Sequence, residues 1–99
     1  MRNIKSIAAA IKAQTIELNS VEFSTFGEVY KITKFKNGDE FVYVEFKNND
    51  PISAFFTKPE YKVIDGAVWH NDPFGRWTLY KICHTDKQAF ELNQDLNNL

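Results

Sequence analysis

With Cys83 its only cysteine, the chain can form no internal disulfide and fits neither of the common zinc-finger spacings. Four glycines are too few to build a loop that cradles phosphate, and no serine elbow or paired-carboxylate motif is present. Neither sign of charge is in surplus. Twelve basic against 13 acidic residues leave a net charge of −1, which exerts no global pull on nucleic acid and creates no strong acidic field. Long hydrophobic runs are missing too. Ile7 to Ile11 is too short for the apolar part of a secretory signal, and nothing reaches transmembrane length. The expectations are a cytoplasmic protein, no membrane partner, no cofactor and no metal.

Aromatic residues are abundant: 15% of the chain, nine of them phenylalanine. That fits either a phenylalanine-built core or a surface kept for recognition. Ninety-nine residues with 43% hydrophobic content suffice for one ordered domain, 1–99, without covalent staples.

The most legible stretch is Glu28 to Lys47, where two arms rich in β-branched and aromatic residues flank Asn37-Gly38 and predict a β-hairpin. Tyr30, Ile32, Val42, Val44 and Phe46 all lie at even positions. They share one face only if even residues oppose even ones, which predicts a three-residue loop over Lys36, Asn37 and Gly38 and sets Ile32 against Val42. The odd face then carries Val29, Lys31, Thr33, Phe35, Phe41, Tyr43, Glu45 and Lys47. Its rings are either covered within the fold or form a patch for a partner.

Elsewhere, Asn3 can cap a helix from Ile4 to about Gln14, with Ile4, Ile7, Ala8 and Ile11 as its apolar stripe. Thr15 to Phe26 reads as a strand with a break at Asn19-Ser20, or as a helix prolonged to Leu18. Lys47 to Pro51 reads as a loop, Ile52 to Thr57 as a short strand, and Tyr61 to Ile64 as another strand or as a turn leading into Ala67 to His70, with Asp65-Gly66 a turn signal. Asp72-Pro73 is turn chemistry. Arg76 to His84 reads as a strand, and Thr85 to Leu99 as a closing helix with a Thr85/Gln88 capping box and Ala89, Leu92, Leu96 and Leu99 as its buried stripe. The predicted class is α+β: an antiparallel meander of about four to six strands with an N-terminal and a C-terminal helix packed on it. Arg2, Lys5 and Lys12 near the start, and Asp86, Glu91 and Asp95 near the end, read as solvated helix faces.

Two His-x-Asp triplets, at His70 and His84, suggest a metal or acid–base site. Antiparallel pairing across the intervening loop would separate the two histidines by seven steps, roughly 23 Å at about 3.3 Å per residue, so they do not share an ion. Cys83 and His84 are neighbours on a strand and point to opposite faces, which disfavours a thiol–imidazole pair. Strand aromatics interleaved with lysines can hold single-stranded nucleic acid, but Glu28, Asp39, Glu40 and Glu45 cancel the hairpin's lysines one for one.

A protein-binding surface needs no surplus charge. The leading expectation is a non-catalytic module that docks on a larger protein or protein complex, using Lys31, Phe35, Phe41, Tyr43 and Lys47 together with Trp69, His70, Phe74, Arg76 and Trp77. Compact domains of this size without catalytic motifs often serve as inhibitors, immunity factors or accessory proteins of phages and other mobile elements. A single-strand nucleic-acid binder and a small enzyme of unknown type are the alternatives, and homodimerisation through an open sheet edge is compatible with each.

Overall fold

The computed structural model describes residue 9 and residues 13–71 and 74–99. The expected helix from Ile4 to Gln14, apart from Ala9, Ala13 and Gln14, and the Asp72-Pro73 turn lie outside the described residues. Two compact units divide the chain, Met1–Lys58 and Pro59–Leu99. The described residues form seven antiparallel strands in two sheets and one C-terminal helix, more strand than the four to six expected.

In the first unit β1 (Ile16–Thr25), β2 (Glu28–Asn37), β3 (Glu40–Lys47) and β4 (Asp50–Phe55) make a four-stranded sheet in chain order. All three connections are two-residue turns. Phe26-Gly27 and Asn48-Asn49 have positive φ at both positions, which gives the twist that matches the flanking strands. Gly38 is the first residue of the β2–β3 turn, at φ 63, the position a type II′ turn reserves for glycine. Asn48 replaces the loop expected from Lys47 to Pro51. It donates its N–H to Val29 O (2.7 Å) and accepts the Val29 N–H on its side chain (2.9 Å), so the β2–β3 ladder runs on into the turn.

The three-residue loop is therefore corrected to two, and the register moves with it: Thr33 opposes Val44, Ile32 opposes Glu45 and Lys36 opposes Phe41. Odd residues now pair with even ones. One face holds Lys31, Thr33 and Phe35 with Val42, Val44 and Phe46. The other holds Tyr30, Ile32 and Lys34 with Phe41, Tyr43 and Lys47. Phe35, Val42, Val44 and Phe46 are buried as one cluster with Ala54 against it, each large side chain contributing about 1.5–3 kcal/mol. The opposite face is buried at its centre as well, at Ile32 and Tyr43. The break expected at Asn19-Ser20 is not there, since both residues pair with β2; the irregularity is a bulge between Glu17 and Asn19, and β1 begins at Ile16, so no helix is prolonged to Leu18.

In the second unit β5 (Glu60–Ile64), β6 (Ala67–Asn71) and β7 (Trp77–Ile82) form a three-stranded sheet. Asp65 and Gly66, both at positive φ, close β5 onto β6. Between β6 and β7 the register slips by one: Trp69 opposes Leu79 but Val68 opposes Lys81, so Tyr80 is a bulge. The helix α1 (Asp86–Asn97) starts at Thr85, whose side-chain oxygen accepts the Gln88 N–H at 3.1 Å. Gln88 reaches back one residue further than in the usual capping box, to the His84 N–H. Ala89, Leu92, Leu96 and Leu99 are buried, the stripe expected from spacing. The helix lies along β5 and β6, and the Asn97 amide exchanges two hydrogen bonds of 3.2 Å with the backbone of Tyr61, as a neighbouring strand would.

Candidate docking surface

Strand alternation and the β5–β6–β7 register sort the second sheet into two unlike faces. One bears Tyr61, Val68, His70, Thr78, Tyr80 and Lys81, of which Tyr61, Val68 and Lys81 are buried. Here the rings of Tyr61, His70 and Tyr80 meet with centroids 5.2–6.2 Å apart, and His70 Nε2 lies 2.6 Å from Thr78 Oγ1. That hydrogen bond and the ring contacts hold the half-buried imidazole on this face.

The other face stays in contact with water. It runs in three rows, Ile64–Ala67–Ile82, Lys62–Trp69–Leu79 and Glu60–Asn71–Trp77. Ala67 is buried and Trp69 half-buried, whereas Trp77 is 39%, Leu79 48% and Ile82 57% exposed, with Ile64 similar. Together the exposed side chains offer roughly 300–400 Å² of apolar surface, as large as the largest patch on an ordinary monomer. Lys62 extends over this face and sets its ammonium 3.8 Å from the centre of the Trp77 ring. Just before β7, Phe74 is 83% exposed, and the Arg76 guanidinium lies 5.6 Å from its ring.

Of the residues expected to bind, Trp69 and Trp77 share this face, with Phe74 and Arg76 in the segment leading into it. His70 does not; it points to the opposite side of β6. The hairpin group is divided by the corrected register. Phe35 and Tyr43 are buried, so neither is a surface ring, and they lie on opposite faces. The Lys31 ammonium is 5.4 Å from the Phe46 ring, on the Phe35 side. Phe41 is 42% exposed, with the Lys34 ammonium 4.4 Å from its ring, and with Glu40 and Phe56 it lines a shallow depression. Lys47 pairs with Glu28 at 3.1 Å.

Ile64, Leu79, Ile82 and Lys62 belong to the surface and were not singled out from sequence. The alternation of Trp77 with Leu79 was a usable signal, but the bulge at Tyr80 moves Lys81 off that face and puts Ile82 on it. Cys83 is half-buried; burial pushes its thiol pKa up, with the Lys81 charge pulling the other way. A thiol so placed is a poor nucleophile at neutral pH.

Compared with known proteins, the chain matches no family model, no curated protein and no solved structure.

Proposed function

We propose that this chain is a non-catalytic binding module that docks on a larger protein or protein complex, in the manner of an inhibitor, immunity or accessory protein of a phage or other mobile element. The exposed face of β5, β6 and β7 is the docking surface. The observation that carries this reading is the contrast between the two sides of one small sheet. One side buries Tyr61 and Val68, while the other leaves Trp77, Leu79, Ile64 and Ile82 in water around a half-buried Trp69. Interfaces of the ordinary kind centre on such aromatic anchors, with charged side chains at the rim, here Arg76 and Glu60.

The rings of the first sheet give little support to the alternative of a single-strand nucleic-acid binder. A base needs an open ring face to stack on. Lys34 stands over Phe41 and Tyr43 and Lys47 over Tyr30, while Phe23 and Tyr30 stack on each other with centroids 5.5 Å apart.

Capture from cells that make the protein tests the proposal. Wild type, Leu79→Glu and Phe90→Glu are tagged, and retained proteins are identified by mass spectrometry. Phe90 is an exposed helix residue outside the surface and serves as control. A protein held by wild type and by Phe90→Glu but lost by Leu79→Glu, with affinity down at least about 30-fold, is the expected result. Equal retention by all three excludes this face.

A further inference from the structure

Both edges of the second sheet are guarded against a further strand. On β5 the Asn97 amide occupies both backbone groups of Tyr61. On β7 the bulge at Tyr80 and the buried, inward-turned Lys81 are devices that keep an edge from pairing. A partner of this sheet therefore lies across its open face rather than beside it.

That face has relief. Ala67 stands between Ile64 on β5 and Ile82 on β7, with Trp69 two residues along β6. Ala67 is only 8% exposed while both isoleucines stand well clear, so a methyl group floors a notch walled by three larger side chains. Three strands about 4.8 Å apart make the face about 10 Å wide, and Glu60–Ile64 runs for about 13 Å. An α-helix is about 10 Å across and covers 13 Å in roughly nine residues. The exposed apolar area is about half of the ~800 Å² that each side of a standard interface contributes, which suits a single element better than a whole globular face.

Charge is graded along the strands. Exposed Asp65 adjoins Ile64 in the β5–β6 turn, and the carboxylate of Asp86 lies against Gly66 at the same end. At the Trp77 end stand Lys62 and Arg76 against Glu60 alone. A helix carries partial positive charge at its N-terminus and partial negative charge at its C-terminus, so this gradient complements a helix that starts at the Ile64 end.

We propose that the docking surface takes one amphipathic α-helix of the larger protein, laid along β6 with an apolar side chain seated over Ala67 and its N-terminus toward Ile64. Its anchors recur at i, i+3 or i+4, and i+7. This inference rests on the docking reading above and adds which element fills the face.

Two displayed libraries of peptides about 16 residues long are selected against the full chain, one with apolar residues at helical spacing and one alternating with the strand period of two. Binders are expected from the helical library. Their affinity should fall at least about 10-fold with Ala67→Leu, which fills the notch, and with Leu79→Glu, and should hold with Phe90→Glu. The bound peptide, isotope-labelled, should show helical carbon shifts. A spin label at its N-terminus should broaden the methyl signals of Ile64 and Ile82 more than the Trp77 indole. Those readings need no substitution, so they decide the matter even if Ala67→Leu fails to fold. Binders on this face from the alternating library alone, a label nearer Trp77, helical binders indifferent to Leu79→Glu, or no binders at all each overturn the proposal. None of these touches the docking reading, which stands or falls by the capture experiment: a protein lost there by Leu79→Glu, without helical binders here, means that the face docks on something other than a helix.

Discussion

The ammonium of Lys62 on β5 stands 3.8 Å from the centre of the Trp77 ring on β7, with β6 between the two strands. The pair fixes an exposed indole without burying it, which is what a docking anchor needs: low side-chain entropy left to lose, and a face still open to a partner. At an exposed site such a contact is worth about 0.5–1 kcal/mol. A double-mutant cycle of Lys62→Met and Trp77→Leu, read by urea unfolding, should return a coupling energy in that range. A coupling near zero would mean the two side chains do not hold each other in solution.

Phe26 occupies the first position of a two-residue turn at φ 50, a left-handed conformation that costs a bulky side chain about 1–2 kcal/mol, and its ring is 72% exposed. Asparagine is preferred at this position. Phe26→Asn is expected to raise stability by about 1 kcal/mol, seen as a higher urea midpoint at constant slope. A lower midpoint would show that contacts of the ring outweigh its backbone.

Thr33 lies in the buried cluster of the first sheet, opposite Val44, and its hydroxyl is buried with no hydrogen-bond partner among the described residues. An unsatisfied hydroxyl costs about 1–3 kcal/mol, and valine fills the same space without it. Thr33→Val should therefore stabilise by about 1 kcal/mol in thermal or urea unfolding. Destabilisation of that size would mean the hydroxyl finds a partner in solution.

Glu28 accepts a hydrogen bond from the Tyr30 hydroxyl at 2.9 Å and pairs with Lys47 at 3.1 Å. The hydrogen bond to Glu28, then burial and the Glu28 charge, raise the Tyr30 pKa, with the Lys47 charge opposing; Lys47 is raised as well, again mainly by Glu28. Both protonated forms are favoured by folding. Their contribution is complete below about pH 10 and is lost as pH rises through the folded-state values. In an alkaline absorbance titration, the difference between wild type and Tyr30→Phe should give a tyrosine that ionises late, and Glu28→Gln should return it toward the ordinary range. If Tyr30 titrated like a free tyrosine in wild type, the Glu28 bond would not persist in water.

Elements were easier to read from sequence than faces. The helix α1 was legible because Thr85, Gln88 and the Ala89–Leu92–Leu96–Leu99 spacing act locally. The hairpin was legible because Asn37-Gly38 sits between two β-rich arms. Its register was not. Grouping Tyr30, Ile32, Val42, Val44 and Phe46 on one face assumed that only one face of the sheet is buried. Ile32 and Val44 are both fully buried, on opposite faces, so apolar parity carried no information about pairing. The same assumption put Phe35 and Tyr43 together on one face and among the candidate binding residues. At β7 the obstacle was the Tyr80 bulge, since a one-residue insertion exchanges the faces of everything beyond it and leaves no mark in composition.

Oxidative footprinting of the protein alone and in complex with the partner recovered by capture tests the docking surface most directly. Modification of Trp77, Leu79 and Ile82 should fall several-fold on binding, while Phe26 and Phe90 react as before. Unchanged labelling of Trp77 and Leu79, with protection confined to other residues, would contradict it.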